Sequence, residues 1–322
     1  MKKIRFIDLF CGIGGFHLAI KNNNTECVFS SEWDKNCQNV YRENFGITPH
    51  GDITKINAKE IPVHDLLCAG FPCQAFSISG KQKGFEDTRG TLFFDIARIV
   101  KYHKPKAIFL ENVKNFASHD NGKTLNTVQL TLNNLGYNFY YKVLNPSNFG
   151  VPQNRPRIYM IAFLKKLNIK NFSFPLPISK NVSLKDLLLP DDKIDKFELK
   201  RKDIVINKKI IQKDIFGTYP AKPIRIGTIG KGGQGERIYD PRGHAIALTA
   251  YGGGVGSKTG LYFINNKIRK LTPRECARVS GYPDSFKISD SKTIAYKQFG
   301  NTVVVKVVKL IFKQILKTKC FN

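Results

Sequence analysis

The stretch RFIDLFCGIGGF, residues 5–16, decides the fold. Its apolar first half is typical of a buried strand, and it passes directly into a glycine turn, Gly12 to Gly15, that opens a helical pattern. A strand followed by glycines and a helix is the first unit of a doubly wound α/β sheet, and the glycines let backbone N–H groups approach a ligand. Because the third glycine directly follows the second, the turn departs from the dinucleotide fingerprint G-x-G-x-x-G.

The first half of the chain repeats this alternation of strands and helices. A helical pattern lies around residues 35–44, and two apolar stripes of helical period begin at Leu92 and Leu125, the second ending where Gly136 suits a helix C-terminus. Further strand-like runs lie at residues 26–30, 64–69, 106–110, 137–144 and 158–163. We predict that the first three of these are parallel to the opening strand and that the last two lie at one edge of the sheet.

The alternation stops at about Ser183 and helical character returns at Arg269. Between these points the chain is rich in turns, and 11 of its 26 glycines lie between Gly227 and Gly260. We therefore predict one doubly wound, mostly parallel α/β domain built from residues 1–186 and 269–322. A small loop-rich domain, residues 187–268, is inserted into it.

Composition excludes several classes of protein. The 52 Lys and Arg residues against 25 Asp and Glu residues give a net charge of +27, which favours a polyanionic partner such as nucleic acid. The seven cysteines form no CxxC pair, so neither a zinc ribbon nor a disulfide framework is indicated, and we predict no metal site. No apolar run approaches the roughly 18 residues of a membrane span, and the N-terminus lacks a signal-peptide core. We predict a cytoplasmic protein.

Two acidic residues follow predicted strands near the glycine turn. Glu32 lies 20 residues after Gly12, where a carboxylate can accept hydrogen bonds from two ribose hydroxyls. Asp52 follows what the sequence suggests is another strand and could meet an adenine amine. A glycine turn with two such acids suits an adenosine without phosphates, as in S-adenosylmethionine, although a tight turn with surface acids would look the same.

The sequence FPCQ, residues 71–74, follows a predicted buried strand directly. Open α/β sheets bind their ligands at this edge. The stretch that continues from Cys73 is polar and contains glycines, as expected of a loop rather than of the hydrophobic core. Cys73 is therefore a candidate nucleophile. Since only the thiolate attacks and an ordinary thiol has a pKa of about 8.5, positive neighbours should lower the pKa of Cys73.

Two further polar groups flank predicted strands. Glu111 ends the strand after that of Cys73, where partial desolvation favours a carboxyl that holds a proton near neutrality, although a helix N-terminal acid would also fit. In QNRPR, residues 153–157, Arg155 and Arg157 would point to opposite faces of an extended chain. One could then face a pocket and the other a phosphate.

Taken in order, these motifs resemble those of the cytosine-5 DNA methyltransferases. The resemblance spans nearly the whole chain and rests on FCGIGG (10–15), FPCQ (71–74), ENV (111–113), QxRxR (153–157), RECAR (274–278) and QFGN (298–301). Residues 68–95 and 230–239 are similar to HhaI-type enzymes in particular. Those enzymes modify the first cytosine of the palindrome GCGC in restriction–modification systems.

The resemblance implies the fold of S-adenosylmethionine-dependent methyltransferases and a role for each catalytic residue. Cys73 would attack cytosine C6, Glu111 would hydrogen-bond to N3, and Arg155 would hold O2 and help to position Glu111. The residues implied to line the cofactor site are Phe10, Gly12, Ile13, Gly14, Gly15, Glu32, Trp33, Asp52, Ile53, Pro72, Leu92 and Asn301.

The resemblance also implies double-stranded DNA as the partner of the inserted domain, which would be a target-recognition domain. The target base must be flipped out of the duplex to reach a thiol. The residues implied to contact DNA are Ser79, Arg157, Gln234, Arg237, Tyr251 and Gly254. No membrane and no obligate protein partner is implied: the enzyme would act as a monomer, linked in function to a restriction endonuclease but not bound to it.

Three other functions stay open on the sequence alone. The RNA-acting branch of the same family methylates a tRNA cytosine by similar chemistry, although a Gly-, Gln- and Arg-rich insert favours DNA. A protein that only senses S-adenosylmethionine would not need Cys73, Glu111 and Arg155 together. A nicotinamide oxidoreductase would need the dinucleotide spacing that the glycine turn lacks.

Overall fold

The structure, a computed structural model, describes residues 3–72, 92–178, 180, 182–190, 197–207 and 220–322. The chain divides into two compact units. The first unit contains Met1–Leu144, Pro156–Pro175 and Val308–Asn322, and the second contains Asn145–Arg155 and Leu176–Val307. We describe each unit by itself.

A six-stranded sheet in the order β2-β1-β3-β4-β7-β5 forms the centre of the first unit. Its strands are β1 (Ile4–Leu9), β2 (Thr25–Ser31), β3 (Leu66–Gly70), β4 (Ala107–Val113), β5 (Tyr137–Leu144) and β7 (Arg157–Leu164). The first four are parallel, whereas β7 pairs antiparallel with both β4 and β5. The prediction of four parallel strands with two more at one edge is confirmed, and the fold is a doubly wound α/β fold.

Four helices belong to this sheet: α1 (Gly15–Ile20), α2 (Lys35–Phe45), α3 (Leu92–His103) and α4 (Lys123–Asn134). Helix α2 begins where the Asp34 carboxylate accepts a hydrogen bond from the amide of Asn36, and it ends at Gly46, which has φ +71°. The predicted C-terminal glycine of α4 is also confirmed, since Gly136 has φ +93°.

The core of the first unit lies on the faces of the parallel strands. Apolar residues of β1, β3 and β4 are buried next to the apolar stripes of α3 and α4. Because helices cover parallel sheets on both faces, such strands read as nearly continuous apolar runs rather than as an alternating pattern. These nearly continuous apolar runs made the parallel strands easy to predict from the sequence.

The second unit contains more regular structure than the loop-rich segment that the sequence suggested. Its main sheet has the order β13-β12-β10-β9-β8, and a further parallel pair joins β6 to β11. The strands are β6 (Gln153–Asn154), β8 (Ile204–Ile206), β9 (Ile224–Ile229), β10 (Arg237–Asp240), β11 (Ala245–Ile246), β12 (Leu261–Ile264) and β13 (Lys267–Arg269). They pack a small apolar cluster, Ile226, Ile229, Ile238, Leu261 and Ile268. Strands this short, separated by glycine turns, leave little periodicity in the sequence.

Two helices of the second unit follow, α5 (Pro273–Val279) and α6 (Lys292–Asn301), and the C-terminal helix α7 (Val305–Lys317) belongs to the first unit from Val308 onward. Pro273 opens α5, where its fixed φ and missing N–H cost nothing, and Thr272 caps the helix by accepting from the amide of Glu275. Among the helices that the structure describes, none is long and apolar enough to cross a membrane.

Candidate active site

The carboxyl ends of four parallel strands form one edge of the first unit's sheet. Strand order reverses between β1 and β3, because β2 lies on one side of β1 and β4 lies beyond β3. Open α/β sheets bind ligands at such a switch point. The glycine turn after β1 and the Phe71–Pro72 segment after β3 both lie at this edge. It is therefore the candidate active site.

The backbone of the glycine turn adopts left-handed conformations that favour glycine. Phe10, Gly12 and Gly14 all have positive φ, at +53°, +53° and +85°. A Cβ atom added to Gly14 would lie 2.2 Å from the ring of Phe45 in α2. Glycine at position 14 therefore allows the turn to pack against α2, with Ile13 and Gly15 buried beside it.

Glu32 follows β2 and is bonded to the same turn. Its carboxylate accepts from the amide of Gly12 at 2.9 Å and from the amide of Asp34 at 2.9 Å. Burial raises the pKa of Glu32 above its ordinary value, and the two amide hydrogen bonds oppose this effect. The structure thus fixes the Glu32 carboxylate beside the turn, and its contact with ribose hydroxyls stays a prediction.

The segment of Asp52 lies beside the end of β2, but not as the strand that the sequence suggested. His50 forms an isolated parallel bridge with Ser31, in which its amide donates to the Ser30 carbonyl at 2.8 Å and its carbonyl accepts from the Glu32 amide at 2.8 Å. This bridge brings Asp52 and the buried Ile53 close to Glu32. The segment does not continue as a strand, because the Asp52 carboxylate accepts from the Thr54 amide and caps a turn that begins at Ile53.

Trp33 is the most conspicuous apolar side chain at this edge, with 75% of its surface exposed. An indole left in water beside a carboxylate that can bind hydroxyls is suited to stack on a flat base. Among the other predicted cofactor residues, Pro72 is exposed after β3 and Leu92 begins α3. These features fit an adenosine moiety. When S-adenosylmethionine is bound, it supplies a transferable methyl group.

Most cysteines of the described part are poor nucleophiles. Burial raises the pKa of Cys11, Cys68 and Cys276 well above the ordinary value, and it raises that of Cys27 to about 12 and that of Cys320 to about 11. These thiols therefore stay protonated near neutrality. Cys73 and Ser79 lie outside the described residues.

Glu111 lies at the end of β4 with 8% of its surface exposed, and it pairs in register with Gly70, the last residue of β3. The Nε atom of Arg157, at the start of β7, lies 3.3 Å from Oε1 of Glu111. The sequence assigned the positioning of Glu111 to Arg155 and a phosphate or loop contact to Arg157. Arg157 therefore contacts this carboxyl, and the positioning of Glu111 by Arg155 stays a prediction.

Asn112 is a residue that sequence reasoning missed. It is buried, and its side-chain amide donates to the carbonyl of Phe71 at 3.0 Å. This bond ties the end of β4 to the segment that leads into Cys73. The signal available was an amide directly after Glu111 at the end of an apolar strand.

Arg155 belongs to the second unit, where it is 3% exposed. Its guanidinium donates to the carbonyls of Leu248, of Gly300 at 2.7 Å and of Thr302 at 3.0 Å. Arg155 thus joins three segments that are far apart in sequence. Its predicted contact with cytosine O2 stays a prediction, as does the cofactor contact of Asn301, which ends α6 and is exposed.

The predicted DNA contacts of the second unit lie on two glycine-rich loops that touch each other. The amide of Gly256 donates to the carbonyl of Gly235 at 2.7 Å, and a Cβ atom on Gly235 would lie 2.3 Å from the carbonyl oxygen of Gly253. Glycine at position 235 is thus required by close backbone contact. The side chains of Gln234 and Tyr251 on these loops are exposed, as is Gly254, and Arg237 begins β10.

A family model for the C-5 cytosine-specific DNA methylases matches residues 4–317. The chain belongs to this family. It is 61% identical to the type II methyltransferase M.HhaI of Haemophilus parahaemolyticus over 96% of this chain and 93% of that protein. It is 44% identical to M.HpaII of Haemophilus parainfluenzae over 98% of this chain and 90% of that protein.

Solved structures agree on the fold of the methylase. Dnmt2 methyltransferase of S. pombe superposes with a TM-score of 0.71 at 22% identity, over 98% of this chain and 99% of that one. A putative DNA modification methyltransferase encoded within an E. coli prophage superposes with a TM-score of 0.72 at 21% identity, over 98% and 99% of the two chains. The methylase is a DNA (cytosine-5)-methyltransferase with S-adenosylmethionine as the methyl donor.

Replacing Glu32 by Gln should weaken S-adenosylmethionine binding by about 10- to 100-fold, because hydrogen bonds to a charged group contribute about 1.5–3 kcal/mol and an amide NH₂ cannot accept them. Calorimetric titration of the methylase with the cofactor measures this. In the wild type, the affinity should also fall as the pH decreases through the raised pKa of Glu32, since protonation removes the charge. Glu26→Gln, at an exposed position of the preceding strand β2, is the control, and equal affinities of the two variants would contradict the assignment.

Proposed function

We propose that this methylase modifies C5 of a cytosine that has been flipped out of duplex DNA, through a transient bond between Cys73 and C6. The observation that carries the proposal is the position of Glu111. Its backbone pairs with Gly70 three residues before Cys73, and its carboxyl is held by Arg157. A carboxyl beside a strand that leads into a nucleophile is what addition to a pyrimidine ring requires.

In the proposed reaction, the Cys73 thiolate forms a bond to C6, and the electrons of the C5–C6 double bond shift so that C5 becomes nucleophilic. Glu111 hydrogen-bonds to N3 and offsets the charge that develops in the ring, while Arg155 holds O2. C5 accepts the methyl group as the bond from that group to the donor sulfur breaks and the sulfur keeps the electron pair, and a base then removes the C5 proton. The C6–S bond then breaks, which restores the double bond and the Cys73 thiolate. Arg155 helps to position the Glu111 carboxyl, and Arg157, which lies 3.3 Å from it, keeps it oriented.

We further propose that residues 187–268 act as an inserted target-recognition domain for GCGC. The paired glycine loops support this, because glycines let backbone atoms reach base edges and the two loops in contact carry the exposed side chains of Gln234 and Tyr251. The guanidinium of Arg237 suits bidentate contact with O6 and N7 of a guanine, and Gln234 would fill the space left by the flipped cytosine.

The same proposal covers the setting of the enzyme. One chain per target cytosine needs no second subunit, so we propose a monomer. It would act on cellular DNA in the cytoplasm of a prokaryote and protect GCGC sites from a restriction endonuclease that it does not bind. The net charge of +27 supports a DNA partner through phosphate contacts.

Bisulfite sequencing of plasmid DNA after incubation with the methylase and S-adenosylmethionine tests the proposal. We expect protection from deamination at the first cytosine of GCGC and nowhere else. Protection within another sequence would overturn the recognition proposal alone. Transfer of a labelled methyl group to tRNA but not to plasmid DNA would overturn the duplex substrate.

A further inference from the structure

The turn that carries two predicted cofactor residues has few bonds of its own. Asp52 and Ile53 open a single 3₁₀ turn, Ile53–Lys55, that is closed by the Lys55 amide on the Asp52 carbonyl at 3.1 Å and by the Ile56 amide on the Ile53 carbonyl at 3.3 Å. One turn of this length is marginal without tertiary support. Its position must come from a neighbour.

Arg98 of helix α3 supplies that support. Its Nη1 atom donates to the carbonyl of Ile56 at 2.9 Å, and its Nη2 atom donates to the carbonyl of Ile53 at 3.0 Å. One planar guanidinium therefore bonds both ends of the turn, which a lysine ammonium cannot do with the same geometry. Asp95, one turn earlier on α3, holds the guanidinium through an ion pair at 3.2 Å.

The same helix bonds the next turn of the segment. The Nε2 atom of His103, five residues after Arg98, lies 2.7 Å from the carbonyl oxygen of Ala58. The first residue of α3 is Leu92, which is itself predicted to line the cofactor site. The chain enters α3 directly from the stretch that contains Cys73.

We propose that Arg98 is a positioning residue for cofactor binding: it fixes the Asp52–Ile53 turn against α3, so that the turn and Leu92 keep the spacing that the adenosine of S-adenosylmethionine requires. This inference rests on the cofactor site proposed above. Arg98 itself touches neither substrate nor cofactor, and it acts through the two carbonyls that it bonds.

The test compares Arg98→Met, Arg98→Lys and Arg42→Met. Methionine keeps the apolar part of the side chain but removes both hydrogen bonds. Lysine retains a charge that can reach one carbonyl. Arg42, an exposed arginine of α2, serves as the control. We expect Arg98→Met to raise the KM for S-adenosylmethionine about tenfold, with kcat and the KM for DNA within twofold of the wild type. Arg98→Lys should recover part of the loss, and Arg42→Met should change nothing.

Three outcomes would overturn the inference: an unchanged KM for the cofactor in Arg98→Met, an equal rise in the KM for DNA, or a loss of kcat alone. An equal rise would show that the effect is not confined to the cofactor site, and thermal unfolding of the same variants measures any loss of overall stability, which would lower kcat instead. Glu32→Gln separates this inference from the proposed site. If Glu32→Gln weakens cofactor binding and Arg98→Met does not, only the role of Arg98 fails; if neither does, the site itself is wrong.

Discussion

Replacing Glu111 by Gln is expected to lower the rate of methyl transfer to duplex DNA by about 10²- to 10⁴-fold, the range that a positioned acid or base contributes. Glutamine has nearly the same shape and can donate a hydrogen bond to N3, but it cannot transfer a proton, so the charge that forms when Cys73 adds to the ring is less well offset. Glutamine also places an amide where the carboxyl of Glu111 lies 3.3 Å from Nε of Arg157, which weakens the contact that orients this side chain. Both effects act on the chemical step.

Single-turnover methylation of a GCGC duplex with saturating cofactor measures this rate. Cofactor affinity should stay within twofold of the wild type, since Glu32 and Trp33 are untouched. The matched control is Glu43→Gln on the exposed face of α2, which should retain full activity. A Glu111→Gln enzyme with more than a tenth of the wild-type rate would contradict the role of this carboxyl.

Replacing Glu275 by Gln is expected to destabilise the second unit by about 3–5 kcal/mol, the usual cost of breaking a buried ion pair by removing one partner. Glu275 and Arg269 form two parallel hydrogen bonds of 2.8 Å, and they are 0% and 1% exposed. The same carboxylate accepts from the amides of Thr272 at 2.7 Å and Leu189 at 2.9 Å. Glutamine would leave the Arg269 cation without a counter-charge away from water.

Urea unfolding followed by circular dichroism measures the loss as a lower midpoint. Asp284→Asn is the control, because Asp284 pairs with Arg278 at 2.6 Å but is largely exposed, and solvent screens such pairs. We expect the control to unfold close to the wild type. Equal midpoints for Glu275→Gln and the control would show that the buried pair contributes nothing beyond an exposed one.

Local patterns predicted the first unit well, and for a physical reason. Strand β5 begins and ends at Tyr137 and Leu144, where the sequence placed it, and Gly136 before it has the positive φ expected of a residue that ends a helix. These features depend on residues close in the chain. The position of the Glu32 carboxylate, after β2 and beside the glycine turn, was also predictable, because strand ends and glycine turns have fixed positions in a doubly wound sheet.

The partners of the two arginines were not predictable from local patterns. The β4–β7 register places Arg157 opposite Val113, and Val113 and Glu111 are two residues apart and so point to the same face of the sheet. This register, set by the packing of the whole sheet, is what brings the Arg157 guanidinium to Glu111. The carbonyls that bind Arg155 lie 93 to 147 residues further along the chain, so no spacing rule could find them.

The bond between sulfur and carbon is the central claim, and a duplex with 5-fluorocytosine at the first cytosine of GCGC tests it most directly. Fluorine at C5 cannot leave as a proton does, so the reaction should stop after methyl transfer with Cys73 still attached to C6. We expect an adduct that survives denaturant, whose modified peptide contains Cys73, and which Cys73→Ser does not form. A wild-type enzyme that methylates ordinary GCGC duplex but forms no adduct, or a Cys73→Ser enzyme that methylates at the wild-type rate, would contradict the account.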